Sequence, residues 1–593
     1  MSVGSAVGPN QSVSVAFVLT RVSYVAAAGL SIGAVMVVPL SAYSLNLFMQ
    51  ASTYAIAVLG LIVVLGYAGQ LSLAQAAFFG IGAYSVALGT TAFGLSFWIA
   101  LILGVLLAAG AGAVLGLTTL RLGGHYLAMV TISFQTILTL VLTNWVSFTR
   151  GPDGVTGIKR PAMLIESRPF LALCLASLYL VAFLVWRLKT TKLGRAMQAV
   201  RDNELAASVV GVDTYRTKVA AFTVSALLGG FGGALFAGGF SYISPDQFSF
   251  AESVVFLTMA LLGGVRSPAG AVLGTGLLIL LPEWLRFLKV IYLAVYGAAV
   301  ILIMVFMPDG IWGYATGLWR KFVPVRPVKP PSIAPLPLTR QVGTEDGSTI
   351  LAVRNLSKYF GGLKAIDDID LAVRRNSVHA LIGPNGSGKT TLLNVLNGIV
   401  RPTHGSITLE GIDLTRLAPH QRAGYGLGRT FQNIRLFGAL SVIENVIIGA
   451  ERPRHSVGDA RALESHALAA LDFVGLAPRA HEQIGSLSYG HQRLVEIARA
   501  LAGSPKLLLL DEPGAGLNHV EKDGLVQLLK RLKGHGLTIF IIDHDMHLVS
   551  QVAERISVLN FGRRIADGTP TEVLRHPDVI AAYLGEERPH GAA

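Results

Sequence analysis

Between Arg21 and Arg121 the chain carries no Asp, Glu, Lys or Arg. Soluble domains are about 25% charged, so a century of sequence without a formal charge cannot be an ordinary water-facing fold. A bilayer core about 30 Å thick is crossed by about 20 mostly apolar residues in a helix. Runs of that kind fall near 24–48, 53–70, 74–94, 97–120, 126–147, 169–187, 218–240, 251–265, 268–285 and 287–307. They predict a polytopic α-helical membrane domain of about ten spans. Their many Gly and Ala residues suit helices that approach closely in lipid. Residues 1–320 hold 17 basic and 9 acidic side chains, against 31 and 26 in residues 321–593. A disordered chain, a collagen and a single soluble domain are therefore excluded.

Basic residues in short loops mark the cytoplasmic side. The segment Arg187–Lys218 has seven basic residues against Asp202, Glu204 and Asp213, which places it inside. Ten spans then put both termini inside, together with Arg121 and Arg266. The loop at 148–168 and the Arg286–Lys289 junction run against the rule. Residues 1–20 lack the basic region of a secretory signal and read as an N-terminal tail. The lone Cys174 lies in an apolar run and reads as a small buried hydrophobe. Six prolines between 324 and 337 predict an extended, semi-rigid spacer. The expected organisation is a tail over 1–20, a transmembrane domain over 21–320, a Pro-rich linker over 321–346 and a soluble domain over 347–593. The net charge of +13 does not mark a nucleic-acid binder, because the excess in the first half sits in loops.

In the soluble half, Val378–Ile382 reads as a short buried strand. It enters Gly383-Pro384-Asn385-Gly386-Ser387-Gly388-Lys389-Thr390, which fits G-x-x-x-x-G-K-[ST], and helical sequence follows from Thr391. Glycines let successive backbone N–H groups face phosphates, and the helix N-terminus adds a favourable dipole. Lys389 is expected at the β/γ-phosphates of ATP and the Thr390 hydroxyl at Mg²⁺. Leu507–Leu510 reads as a strand that delivers Asp511 to the metal. Glu512, one residue on, is placed to orient or deprotonate the attacking water.

These elements fit any P-loop nucleotidase. Leu487-Ser488-Tyr489-Gly490-His491-Gln492, whose His491 lies nineteen residues before Leu510, resembles the signature of ATP-binding-cassette (ABC) proteins. Gln432 in Thr430-Phe431-Gln432-Asn433 looks like the Q-loop, Gly516-Leu517-Asn518 like the D-loop and His544 like the switch histidine. The resemblance implies an α/β P-loop ABC ATPase. It also implies two cassettes, with Ser488 and Gly490 reaching the γ-phosphate of ATP held by the partner. His544 would sense that phosphate, and Gln432 would join Thr390 and Asp511 at the metal and link the site to the membrane domain. Phe360, or failing it Tyr359, would stack on adenine. Tyr489 and His491 stand where the commonest signature has Gly and Gln.

The segment from Leu193 to Gly211 looks like the coupling segment of bacterial import permeases, in which a short cytoplasmic helix ending at a glycine seats in the cassette's groove. Gly69–Phe78, Tyr126–Thr131, Gly151–Gly154, Gly263-Gly264 and Met307–Gly310 resemble the permease of branched-chain amino acid ABC importers. Ser488-Tyr489-Gly490 and Ala582-Tyr583-Leu584-Gly585 resemble the same system's ATPase. The chain thus resembles a fusion of the two, over nearly all of residues 50–587. Implied partners are a second permease and a second ATPase (or a second copy of this chain), a periplasmic substrate-binding protein, an amino acid substrate and the lipid of a bacterial inner membrane. At 74 and 75 the family's usual Gly-His is Ala-Gln here, a departure that bears on substrate. Urea, short amides and small organic acids are the alternative cargoes, and an exporter or a nucleotide-gated channel the alternative classes. Short loops at 121–126 and 187–218 oppose the exporter; intact Lys389, Asp511, Glu512 and His544 oppose a purely sensory cassette. Gln70, Ser72 and Gln75 either line the path or hold the bundle together.

Overall fold

The structure, a computed structural model, describes residues 28–119, 124–285, 291–307, 309–322, 336, 347–451 and 460–584. The tail over 1–20, Arg21, Arg121, Arg286, Lys289, Pro308, Gly585 and nearly all of the proline-rich stretch over 321–346 lie outside the described residues. The chain divides into two compact units. One holds the described residues of Met1–Met197 and Tyr215–Arg326, the other those of Gln198–Thr214 and Pro327–Ala593.

The first unit is helical. Its elements are α1 (Ala28–Val37), α2 (Ala42–Leu61, continuing as a π-helical turn over Ile62–Tyr67), α3 (Gln75–Thr91), α4 (Phe97–Thr119), α5 (Gly124–Asn144) and the single turn α6 (Val146–Thr149). After them come α7 (Ser167–Lys189), the start of α8 (Lys192–Asp202), α10 (Thr214–Phe240), α11 (Phe250–Gly263), α12 (Pro268–Trp284), α13 (Tyr292–Phe306) and α14 (Gly310–Phe322), while the end of α8 from Gln198 and all of α9 (Glu204–Val209) belong to the second unit. The short strands β1 (Val155–Thr156) and β2 (Tyr242–Ile243) pair antiparallel.

The ten expected runs do not each become one long helix among the described residues. Among the described residues five helices are long and apolar enough to cross a membrane, or seven if each of two bent pairs is one span. Local backbone chemistry explains the difference. The run at 24–48 is cut after α1, where Pro39 cannot continue a helix. Ser41 then caps α2 by accepting the Ser44 N–H at 3.1 Å, and α2 runs on through part of the next run to Tyr67. The runs at 251–265 and 268–285 become α11 and α12, bent by 119°. Gly264 sits between them at φ +110°, and Pro268 opens α12.

Polar side chains in this unit tie helices together. The Gln75 amide on α3 is fully buried. It donates to the Ala57 carbonyl of α2 at 2.7 Å and accepts the Ser225 hydroxyl of α10 at 3.0 Å. Gln135 on α5 donates to the Phe248 carbonyl at 2.6 Å and accepts from Ser253 of α11 at 3.0 Å. A polar group in an apolar bundle must find a partner, and Gln75 finds its partners on neighbouring helices. Of the two readings of Gln75, holding the bundle is the one its contacts support. Cys174 is buried as expected.

The second unit is an α/β fold with two sheets. Strands β3 (Thr349–Phe360), β4 (Leu363–Arg374), β6 (His404–Leu409) and β7 (Ile412–Asp413) make an antiparallel sheet in the order β4-β3-β6-β7. Strands β5 (Val378–Ile382), β8 (Leu427–Arg429), β9 (Leu507–Asp511), β10 (Thr538–Ile542), β11 (Arg555–Asn560) and β12 (Arg563–Gly568) make the main sheet. Its order is β12-β11-β5-β10-β9-β8, parallel except for the β11–β12 hairpin. Helices α15 (Lys389–Asn397), α16 (Pro419–Gly424), α17 (Val442–Ala450), α18 (Ala460–Phe473), α19 (Tyr489–Ala502), α20 (His519–Gly534), α21 (Met546–Val552), α22 (Pro570–Leu574) and α23 (Pro577–Leu584) complete the unit. β5, β9 and β10 are buried along their whole length, as parallel strands covered on both faces are.

One buried group in this sheet is a pH liability. His379 on β5 is 1% exposed and 2.9 Å from the Ser557 hydroxyl. Burial depresses its pKa from 6.5 to about 4. Between those values the unfolded chain binds a proton that the folded chain refuses, so stability is intact above pH 6.5 and falls as pH drops toward 4. The full loss is roughly 3 kcal/mol. A His379→Gln variant is expected to flatten the fall of thermal stability over pH 6.5 to 4, measured by differential scanning fluorimetry.

Candidate functional site

The carboxyl ends of β5 and β9 face the same region, since both pair with β10 in parallel. β5 delivers the glycine loop. Gly386 and Gly388 have φ of +80° and +101°, and a Cβ at Gly388 would lie 2.4 Å from the Ala365 carbonyl oxygen. Only glycine fits there. Gly388 caps α15, which starts at Lys389, so the expected strand, loop and helix are in place. Lys389 curls back over its loop, donating to the Gly383 and Pro384 carbonyls at 2.7 and 2.8 Å. Burial lowers the Lys389 pKa, opposed by the Glu512 charge. Asn385 and Thr390 are exposed, Thr391 is half-buried and Ser387 is buried.

β9 ends at Asp511, 3% exposed. Burial raises the Asp511 pKa, and the Arg429 guanidinium 3.2 Å away opposes that rise. Glu512 follows in a left-handed conformation, φ +43°, which is strained for a residue with a side chain. Its N–H donates to the Ile542 carbonyl at 2.7 Å. The turn aims its carboxylate at two other expected residues. Gln432 Nε2 donates to Glu512 Oε2 at 2.9 Å, and His544 Nδ1 stands 3.5 Å from the same oxygen. Two residues 112 positions apart therefore converge on the Glu512 carboxylate. The Gln432 amide, expected at the metal beside Thr390 and Asp511, is engaged with Glu512.

Phe360, at the end of β3, is 48% exposed, with the Lys358 ammonium 4.8 Å from its ring centre. Tyr359 is engaged otherwise, its hydroxyl donating to Asp367 at 2.9 Å. Ser488 caps the signature helix α19, accepting the His491 N–H. A Cβ at Gly490 would lie 2.3 Å from Glu521 Oε1. His491 Nδ1 lies 3.0 Å from both the Arg479 guanidinium and the Ser488 hydroxyl. Arginine can only donate, so Nδ1 is an acceptor and the Nε2 tautomer is the one present. Asn518 of the D-loop caps α20.

The coupling segment packs within this same unit. It forms two helices, α8 and α9, separated at Asn203, whose side chain caps α9 by accepting the Ala206 N–H at 2.9 Å. Ala199, Val200, Ala206, Ala207, Val209 and Val210 form one buried cluster with Phe431, Phe437, Leu440 and Ile448. Asp202 accepts the Ala439 N–H at 2.7 Å, and Arg435 donates to Asn203 at 3.4 Å. His420 lies 3.7 Å from Asp213. The glycine expected to end the segment, Gly211, has φ +108°.

Sequence reasoning passed over Arg429, Arg435 and the buried group Arg493, Glu496 and Arg499. The sign was present: charged residues at i, i+3 and i+6 of a helix between core positions need buried partners.

A glycine loop between a buried strand and a helix, an Asp-Glu pair at the end of a second parallel strand of the same sheet, and a signature helix together define an ATP-binding-cassette ATPase. Comparison with known proteins agrees. Residues 366–515 match the ABC transporter family, and residues 563–589 match the branched-chain amino acid ATP-binding cassette transporter family. Residues 43–307 match the branched-chain amino acid transport system permease component. The high-affinity branched-chain amino acid transport ATP-binding protein BraF of Pseudomonas aeruginosa is 41% identical over 251 residues, 40% of this chain and 98% of that protein. LivG of Salmonella typhimurium, of the same description, is 42% identical over the same shares. A nucleotide-free ATP-binding cassette from an ABC transporter is 34% identical over 40% of this chain and 100% of that one, with a TM-score of 0.38. The chain belongs to the branched-chain amino acid ABC transporter family, with permease and ATPase components in one polypeptide. ATP hydrolysis in its cassette is coupled to transport.

Proposed function

We propose that the chain imports branched-chain or related amino acids across a bacterial inner membrane, driven by ATP hydrolysis on its cytoplasmic cassette. We take residues 21–320 as the permease, 321–346 as a spacer and 347–593 as the ATPase. The observation that carries the reading is the seat of residues 198–214 in the cassette fold. An import permease needs such a contact to receive the work of hydrolysis.

In this reading the Gly383–Thr391 loop offers its N–H groups to the ATP phosphates, and Lys389 leaves its carbonyl partners for the β/γ-phosphates. Phe360 provides the exposed ring for adenine. Glu512, positioned by Gln432 and near His544, takes a proton from the attacking water. Ser488 and Gly490 serve the ATP of a second cassette. The donors near the phosphates are all oxygen: the Thr390 hydroxyl, the Asp511 carboxylate and the Gln432 amide. That set fits Mg²⁺, which prefers few protein oxygens beside phosphate and water; bound, it would offset phosphate charge. The assembly needs a second permease and a second cassette, from another subunit or another copy, and a periplasmic binding protein to present the amino acid.

Uptake of labelled leucine by cells expressing the chain with its partner subunits tests the reading. Accumulation against a gradient is expected, and Lys389→Ala should abolish it while weakening ATP binding roughly tenfold to a hundredfold, the loss of one charge-assisted contact. Absent uptake with ATPase activity intact would turn the search to urea, short amides and small acids.

A further inference from the structure

The signature helix α19 carries a buried charged group that holds the Q-loop backbone on both of its polar sides. Arg493 donates to the Phe431 carbonyl at 2.5 Å and to the Gln432 carbonyl at 2.7 Å. Glu496 Oε1 accepts the N–H groups of Phe431 and Arg435 at 3.4 and 3.3 Å. Arg499 donates to the Arg435 carbonyl at 2.7 Å. Glu496 is held in turn by Arg493 at 3.0 Å and Arg499 at 3.6 Å. All three side chains are at most 1% exposed. Residues 431–435 are thereby fastened to α19 by their main chain, whatever their own side chains do.

Those side chains point to two further places. Gln432 reaches Glu512. Phe431, with the guanidinium groups of Arg429 and Arg435 at 4.8 and 5.2 Å from its ring centre, packs in the cluster that seats the coupling helices. Arg435 and Ala439 hold Asn203 and Asp202. Glu496 thus lies where the signature helix, the glutamine beside the catalytic carboxylate and the permease-derived segment meet, and it touches none of the reacting groups.

We propose that Glu496, with Arg493 and Arg499, is the positioning element that makes the signature helix, the Q-loop and the coupling segment move as one body. Loss of its charge then leaves each part folded and uncouples them. A buried ionic group of this kind adds little net stability over an apolar one, so its value lies in fixing relative position. The inference rests on the ATPase reading of the site and not on the identity of the cargo.

The test is hydrogen exchange of the full-length chain, with and without ATP, in an otherwise Glu512→Gln background that keeps nucleotide bound. With Glu496 intact, ATP is expected to change exchange in both 383–391 and 198–214. With Glu496→Gln added, the change in 383–391 should remain and that in 198–214 should shrink roughly two- to thirty-fold, the span of measured coupling effects. In a background with Glu512 intact, amino acid transported per ATP hydrolysed should fall by the same factor. Should Glu496→Gln fail to fold, Arg493→Lys, which keeps the charge and loses the forked contact, replaces it with the same expectation. An undiminished ATP response in 198–214 in either folded variant overturns the proposal. Because that readout needs no substrate, failure of leucine uptake would leave it standing and would count only against the import reading.

Discussion

Glu512→Gln should bind ATP as the unaltered chain does and lose about 10²- to 10⁴-fold in turnover, the usual worth of a positioned general base. The geometry singles out this carboxylate. It is touched by Gln432 at 2.9 Å and approached by His544 at 3.5 Å, and its backbone is held at φ +43° to aim it there. Glutamine keeps the shape and can still pair with Gln432, so the loop stays put and only the proton acceptor is removed. Phosphate release and nucleotide affinity measured side by side decide the matter. Equal losses in both would mean that Glu512 holds the nucleotide; undiminished turnover would remove it from the chemistry.

Ala207→Glu should produce the converse phenotype, with ATP hydrolysis at its basal rate and uptake down by about tenfold or more. Ala207 is fully buried beside Phe431 and Phe437. The members of that cluster are all apolar, so a carboxylate placed there would be buried among hydrocarbon, and an uncompensated buried charge costs several kcal/mol. The segment is expected to leave its seat instead of paying that penalty. At 1.4 kcal/mol per tenfold, about 3 kcal/mol suffices to leave the seated state a minor one. The cassette keeps its own core, since Ala207 belongs to the inserted segment. Ser208→Ala, whose hydroxyl donates only to the Leu205 carbonyl at 2.7 Å, should preserve uptake. Uptake and phosphate release in the same vesicles separate the two variants.

Much of the site was legible because its parts are local. A glycine loop needs positive φ at particular positions, so Gly386 and Gly388 announce themselves at fixed distance from Lys389. Four leucines ending in Asp511-Glu512 mark a buried strand and what it delivers. Tyr359 is held by Asp367 while Phe360 stays exposed, a difference that no spacing predicts. The membrane half was legible as a class, because a charge-free century admits few folds. Its span count was not, since a hydropathy run does not show where Pro39 or Gly264 turns the backbone.

What the sequence determined alone was therefore what short-range chemistry dictates: an apolar helical half, a phosphate loop, a buried strand ending in Asp511-Glu512 and a signature helix. What only the tertiary structure decided was which distant groups meet. Arg493 finds carbonyls some sixty residues before it, Gln75 finds Ser225 across the bundle, and Asp202 finds the Ala439 N–H. Main-chain carbonyls and N–H groups are the same at every position, so a sequence cannot say which of them a buried side chain will choose. Packing makes that choice, because a charge shut away from water must take whatever partner the fold brings within reach.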